Sequence, residues 1–406
     1  MEKYDVAIIG GGITGLSCAI ALANNNFKVL VINDSKIKEF SLVKSDLTKR
    51  VSAVNVSSQY IFKKLGVLDS ILKNRNSTYY NMNVCDDISS FSLNFDSSSL
   101  CLPNLGMIIE NDVMISALKK KLFEECSVDF FESTKILNFE KIENNLTKII
   151  LKNKKNILCK LLIGADGSNS FVRKSFKFQY QFFPEFSSYR SIVTNIRAKY
   201  FNNCTAYQFF FSNGGILAFL PLFRNNEFSI VFSFPNDVYL ESMKNLNDKL
   251  YLQGYLNENL TMFINNKESH IEVLSDPRTF KVEEKHVKKY YKKGVVLVGD
   301  SAHTFHPLAG QGLNLALADV KELTDLLIGM KEIGRDFSSE EVLLQYEINR
   351  KFYNNLMLGG ICGLRKFFCS NNNFLIFLRK WSINTLNESI LAKKFFVYNA
   401  RNSLII

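Results

Sequence analysis

The chain has 406 residues, 47% of them apolar, and a formal net charge of +11. That length holds two domains, or one large and one small. The positive excess suits nucleic acid, a membrane surface or an anionic ligand, and the lack of any helix-turn-helix or zinc-finger spacing sets nucleic acid aside. Usage rich in Lys, Asn, Ile and Phe has the look of AT-biased coding in a reduced bacterial genome, so part of the charge reflects codons.

Eight scattered cysteines form no CxxC pair and read as buried or incidental thiols in a reducing compartment. None of the four histidines stands at ligand spacing to a cysteine, so no metal is expected. No uninterrupted apolar run reaches the ~18 residues that span a bilayer. The first apolar run, Val6 to Gly12, follows an acidic flank and ends in glycines, unlike a signal peptide. A cytoplasmic protein is expected.

Tyr4 to Ile9 is a short β-branched run and predicts a buried parallel strand. Gly10, Gly12 and Gly15 follow at GxGxxG spacing. Leu16, Ala19, Ile20 and Ala23 then mark a helix, and Phe27 to Ile32 a second strand. In such a βαβ unit Gly10 makes the tight turn, Gly12 admits a pyrophosphate, and Gly15 lets helix pack on strand. Ile13 and Thr14 open the helix, whose positive end faces the phosphates. The bland alternative is a glycine-rich turn. The acid expected about 20 residues on is Asn33 here, with Asp34 beside it, and either side chain can bond a ribose hydroxyl.

Arg50 to Asn55 precedes a predicted helix from Ser57 to Leu65, and Arg50 reads as a surface charge or a pyrophosphate contact. Leu161 to Gly164 predicts another strand, followed by Asp166-Gly167 and a helix start near Val172. Asp166 is a ligand contact or part of an Asp-Gly turn with serine capping. From Ser188 to Phe234 the texture changes to aromatic strands, an antiparallel sheet in which Tyr207, Phe209, Phe219 and Pro221 form either a core or the wall of an apolar substrate pocket.

Gly294 to Val298 predicts a further strand with Asp300 just past its end, where parallel sheets bind ligands. Leu313, Ala316, Leu317, Val320, Leu323 and Leu327 then define a helix starting near Gly310. The amides of Gly310, Gln311, Gly312, Leu313 and Asn314 are placed to stabilise negative charge. Pro307 is expected against a flat ligand ring, and His303 and His306 are structural or acid–base groups. Beyond Gly359, seven Lys or Arg stand against Glu388 alone, and Phe374, Leu375, Phe377, Leu378 and Trp381 share a helix side. That side packs on the body, on an anionic membrane surface or on a partner protein.

Together these segments resemble the single-component FAD-dependent aromatic hydroxylases, and most closely the ubiquinone-biosynthesis hydroxylase family. The likeness covers nearly the whole chain. HTFHPLAGQGLNLALADV from His303 is its most specific piece, with RVSAVN from Arg50, LGMIIENDV, LIGADGSNSFVR, AFLPL from Ala218 and LLQYEINRKFYNN from Leu343. The resemblance implies that Arg50, Asn111, Asp166, Asp300, Gly310 and Gly312 contact FAD. Asn33 departs from the family's acid, and Asp112 stands where arginine is common.

The implied fold is α/β. A Rossmann-like, para-hydroxybenzoate-hydroxylase-like FAD-binding domain takes 1–76, 100–178 and 286–335. A mostly antiparallel β substrate domain takes 77–99 and 179–285, and a helical region takes 336–406. The implied cycle is reduction of FAD by NAD(P)H, reaction with molecular oxygen to a C4a-hydroperoxide, and hydroxylation of a polyprenylated phenol, with His306 and Pro307 beside the reacting ring. No second GxGxxG exists, which fits transient docking of NAD(P)H. A soluble acidic substrate needs a cationic clamp, and residues 206–222 offer none. The alternatives are a hydroxylase of another aromatic, a prenyl reductase, or a non-catalytic FAD-bound subunit of a biosynthetic complex. The expected place is the cytoplasm, peripheral to the inner face of the cytoplasmic membrane through the basic C-terminal region.

Overall fold

The computed structural model describes residues 1–36, 50–88, 92–142, 146–181, 188–264, 270–305, 310–370 and 372–394. Two large sheets organise it. In the first, strand Glu2–Ile9 pairs in parallel with Val29–Ile32 on one side and Asn156–Gly164 on the other. Val128–Phe131 and Val295–Leu297 extend this sheet, also in parallel. These strands are apolar on both faces because helices cover both. Helices Ile13–Ala23, Asn111–Glu125 and Gln311–Glu332 supply much of that cover. The register sets Ile9 beside Ile32 and Gly164, and Gly164 beside Leu297. Four strands therefore end at one edge.

The second sheet runs, edge to edge, Ile271–Val273, Ser188–Ala198, Glu227–Pro235, Ile216–Pro221, Thr205–Phe210, Asn81–Asp86 and Ser92–Asp96. Its pairs are antiparallel except Thr205–Phe210 with Asn81–Asp86. One face carries Phe209, Leu217, Phe219, Phe228, Ile230 and Phe232, packed with Leu252 and Leu256 of helix Lys249–Asn259. Strand geometry turns the alternate residues to the other face. There Val84, Leu93, Phe210 and Ile216 meet Ile361, Phe368 and Ile383 of the C-terminal helices. A three-stranded sheet of Val51–Val54, Gly106–Glu110 and Asn76–Tyr79 lies between the two.

Helices Glu340–Phe368 and Asn373–Glu388 close the chain's described part. Three buried arginines fasten them. Arg350 Nε meets Asp319 Oδ1 at 2.7 Å, Arg365 Nη1 meets Glu284 Oε1 at 3.1 Å, and Arg379 pairs with Asp86. Removing one partner of such a pair strands a buried charge, at a cost of about 3–5 kcal/mol.

Candidate active site

Gly10 takes φ +115°, and a Cβ there would sit 2.3 Å from the Ala165 carbonyl oxygen. A Cβ on Gly15 would lie 2.0 Å from the Gly10 oxygen. A Cβ on Gly12 would meet nothing within 4 Å. The first and third glycines are thus fixed by packing, and the middle one borders open space. Gly12 also caps helix Ile13–Ala23 with no side-chain cap hydrogen bond. A bare helix start beside open space is a cradle for a diphosphate.

Asn33 ends its strand beside this loop. Its Oδ1 accepts from the Gly11 amide at 2.9 Å and its Nδ2 donates to the Ser35 carbonyl at 2.6 Å. Asn33 therefore latches the glycine loop, a role that sequence spacing did not suggest, while Asp34 is exposed. Asp166 also holds the scaffold together. One oxygen accepts from the amides of Phe171 at 2.6 Å and Val172 at 3.0 Å, and the other from Ser301 Oγ at 3.1 Å. Ser170 Oγ caps the same short helix through the Arg173 amide. The capping alternative for this segment is what the geometry shows, and the Ser301 bond ties it to the neighbour of Asp300.

Asp300 follows the last parallel strand in a short helical turn from Gly299 to Ser301. Burial raises its carboxyl pKa, and the charges of His303 and Arg50 pull it back. Arg50 is exposed, and its carbonyl accepts from the Asn111 amide at 3.0 Å. Asn111 Oδ1 accepts from Ser52 Oγ at 2.8 Å. Thr14 reaches the same place, since a Cβ on Gly299 would lie 3.3 Å from its Cγ2. Ile13 is buried in the core.

Gly310 adopts φ +61° and caps helix Gln311–Glu332, again without a side-chain cap bond. Its Cβ would stand 3.0 Å from Ala53 Cβ, and Gly312 borders open space. Gln311 and Leu313 are half-buried in the first turn. The Asn314 side chain is spent internally. It donates to the Ala53 carbonyl and accepts from the Asn55 amide and Ser58 Oγ, at 3.0, 3.0 and 2.8 Å. Asn314 bolts this helix to the Arg50 segment, so its side chain is corrected from a ligand contact to a brace. His306 and Pro307 lie outside the described residues.

The substrate wall expected from the aromatic strands is corrected more sharply. Phe209 and Phe219 are buried in the core against helix Lys249–Asn259, and Tyr207 packs with them. Pro221 pairs with Phe228 on that same face. Large rings need a covering helix to exclude water, whereas a ligand needs room. On the opposite face, beyond the part the C-terminal helices cover, Ala218, Leu220 and Val231 are only half-buried. Cross-strand register sets Gln208 beside Ala218 and Val231, and Ala206, Leu220, Ser229 and Asn195 in the next row. Gln208 Nε2, Ser229 Oγ and Asn195 Oδ1 are buried without a hydrogen-bond partner among the described residues. Buried polar groups are nearly always paired, by protein, water or ligand. A shallow depression lined by Arg197, Lys199, Gln253 and Glu272 shares no residue with these groups, and Arg197 is already paired with Glu272.

A buried polar network supports the loop from behind. Asp319 accepts from His303 Nε2 at 2.6 Å, Arg350 Nε at 2.7 Å and the Gly299 amide at 3.0 Å. Burial alone would raise its pKa, but the charges of His303 and Arg350 hold it far below the usual carboxylate range. His303 is thereby a scaffold histidine. Tyr290 Oη accepts from Asn354 Nδ2 at 2.9 Å and shares a hydrogen bond with His286 Nε2 at 2.6 Å. Sequence reading quoted the segments holding Asp319 and Arg350 without giving either a role. Among the described residues no His, Cys, Asp and Glu cluster is fit to hold a metal.

A parallel sheet ending in a diphosphate cradle, with a second capped helix start and a carboxylate at the same edge, defines an FAD-binding oxidoreductase. The FAD binding domain family matches residues 3–357, and the chain belongs to it. The chain is 29% identical over 393 residues to the 3-demethoxyubiquinol 3-hydroxylase of Escherichia coli (strain K12), covering 97% of each. It is 28% identical to the mitochondrial ubiquinone biosynthesis monooxygenase COQ6 of Danio rerio, covering 95% of this chain and 87% of that protein. Among solved structures, p-nitrophenol 4-monooxygenase PnpA of Pseudomonas putida DLL-E4 superposes with a TM-score of 0.78 at 15% identity, over 100% of both chains. That likeness concerns the fold. The protein is an FAD-dependent monooxygenase.

Proposed function

We propose that this protein hydroxylates the aromatic ring of a polyprenylated phenol in ubiquinone biosynthesis. The observation that carries the reading is the composition of the second sheet's face opposite the aromatic core. Its central positions, Gln208, Ala218, Val231, Ser229 and Leu220, are small, apolar or neutral. A carboxylated substrate would need a cation there. A neutral phenol needs apolar contact and a few hydrogen bonds, which Gln208 Nε2 and Ser229 Oγ are free to offer among the described residues.

Bound FAD, reduced by NAD(P)H, would supply the activated oxygen from molecular oxygen. The residues around it bind and orient. The Gly12 helix start and Arg50 take the diphosphate, and Asp300 takes ribityl hydroxyls. The amides from Gly310 to Asn314 face the developing negative charge. Asn33, Asp166 and Asn314 hold the three loops in register, and Asp319 anchors the strand leading into the last of them. Neighbouring positions Ile13, Thr14, Asn111, Gln311, Gly312, Leu313 and Pro307 complete the shell in this reading. The same reading places the enzyme peripherally on the inner face of the cytoplasmic membrane or in a biosynthetic complex, through its basic C-terminal region.

The test is to incubate FAD-loaded protein with NAD(P)H, oxygen and a short-chain prenylphenol, and to weigh the product. A gain of one oxygen atom is expected, with fragmentation locating the ring carbon. NAD(P)H consumption that yields only peroxide would overturn the substrate assignment. A flavin that NAD(P)H does not reduce would overturn catalysis.

A further inference from the structure

Helix Glu340–Phe368 turns Tyr346, Arg350, Asn354 and Leu358 inward. On its opposite side Ile348, Phe352 and Leu356 are 55%, 66% and 59% exposed. Single exposed apolar residues are ordinary, but these follow one another along a line. The line continues through exposed Gly359 and Gly363, with Gly360 beside them. A Cβ on any of the three glycines would meet nothing within 4 Å. Glycine inside a helix costs about 1 kcal/mol against alanine, and no packing among the described residues calls for it here.

The line ends in opposite charges. Glu341 stands at its N-terminal end, followed by Gln345, and Lys366 stands at its C-terminal end, all three exposed. At ~100° per residue, the positions from Glu341 to Lys366 on this line share about 80° of arc. They recur at steps of three and four, the spacing of a coiled-coil seam. Their order selects the occupant. Turned end for end about a two-fold axis at Tyr353–Asn354, the seam meets itself. Phe352 then faces Leu356 of the second copy, Ile348 faces its Gly359, and Glu341 faces its Lys366. Bulk meets hole and acid meets base, as a self-complementary interface requires. A seam with one acid and one base has no net charge to hold an anionic lipid or a strongly charged protein.

We propose that helix Glu340–Phe368 pairs antiparallel with the same helix of a second copy of this chain. The glycines let the two backbones approach closely, at the small crossing angle of coiled-coil packing. The inner side of the helix sends Arg350 to Asp319 and packs Leu358 and Cys362 against Phe305 and Leu315. The pair therefore joins two copies back to back, behind the loops that follow Asp300. One helix pair is smaller than a standard interface, so association in the micromolar range is expected. The substrate assignment stands or falls separately.

Sedimentation equilibrium of the FAD-loaded full chain, from low to high micromolar protein, is expected to show twice the chain mass. Ile348→Ala with Phe352→Ala removes bulk from both copies at once and weakens association roughly a hundredfold. Glu341→Lys alone, or Lys366→Glu alone, weakens it about fivefold, and the two together restore it. Gly359→Leu improves helix propensity yet fills the place of the second copy's Ile348, so it lowers association while the monomer stays folded. Parent-like circular dichroism and flavin absorbance in every variant separate lost pairing from lost folding. A single-chain mass at every concentration overturns the proposal. So does a dimer that survives Ile348→Ala with Phe352→Ala, because its interface then lies elsewhere. Failure of the charge swap to restore association overturns the antiparallel register. A monomer that co-sediments with phosphatidylcholine vesicles assigns the face to lipid and overturns it as well.

Discussion

The parallel sheet is apolar on both faces and offers its ligand groups at the strand ends. The antiparallel sheet has one aromatic face and one face of small, polar and half-buried residues that the C-terminal helices cover only in part. In the first, register brings together the loops after Ile9, Ile32, Gly164 and Leu297, which in the proposed reading hold the cofactor. In the second, selection lies in which residues are small. The difference separates two tasks: cofactor affinity depends on backbone shape, and substrate choice on side-chain volume.

Substitutions on opposite sides of one strand pair sharpen that contrast most. Phe219→Ala should cost about 4 kcal/mol in urea unfolding through the cavity it leaves in the aromatic core. Its Michaelis constant should follow the parent once the folded fraction is allowed for. Gln208→Leu should leave stability within about 1 kcal/mol, since Gln208 Nε2 has no partner to lose among the described residues. It should raise the Michaelis constant for the phenol several-fold. The reverse result would return the pocket to the aromatic face.

Next in size is Arg350→Met, which leaves Asp319 buried with one partner fewer. A loss of about 3 kcal/mol is expected, read as a lower midpoint in urea. An unchanged midpoint would remove the network as a support of the flavin end.

Burial, then the charges of His303 and Lys351, push the His286 pKa down to about 3 from an ordinary 6.5. The unfolded chain therefore takes a proton that the folded one refuses. Stability is complete above pH 6.5 and falls as the pH drops toward 3, by roughly 2 kcal/mol in the first one and a half pH units. His286→Gln should flatten that part of the curve. The smallest effect belongs to Asn33→Asp. It keeps an acceptor for the Gly11 amide and loses the donor to Ser35. FAD affinity by fluorescence titration should change within about tenfold either way, and complete loss of FAD would show that the amide donor is indispensable.

The strand ends were legible because their chemistry is written in spacing. Glycines at positions 10, 12 and 15 and a carboxylate after a β-branched run leave few other folds. The roles of Asn33, Asp166 and Asn314 were less legible, because a side chain that bonds a ligand and one that braces a loop look alike in sequence. The second sheet misled for a physical reason. Tyr207-Gln208-Phe209-Phe210-Phe211 is bulky on both sides, so alternation does not say which face is covered. The covering helix, Lys249–Asn259, lies about 40 residues downstream, and its partner face shows only in the pairing. Asp319 and Arg350, 31 positions apart, meet through helix packing that no local pattern encodes.

The bond from Ser301 to Asp166 spans 135 positions, and this has a consequence for biosynthesis. A nascent chain owns its glycine loop within the first dozen or so residues. It lacks Asp300 and the helix start at Gly310 until roughly three-quarters of its length has left the ribosome. Strand Asn156–Gly164 must therefore wait, its edge open where Val295–Leu297 will pair, while the second sheet's strands from Ser188 to Glu283 are made. Flavin loading is timed by the last quarter of the message, and a truncated chain ending before that quarter is a glycine loop with nothing opposite it.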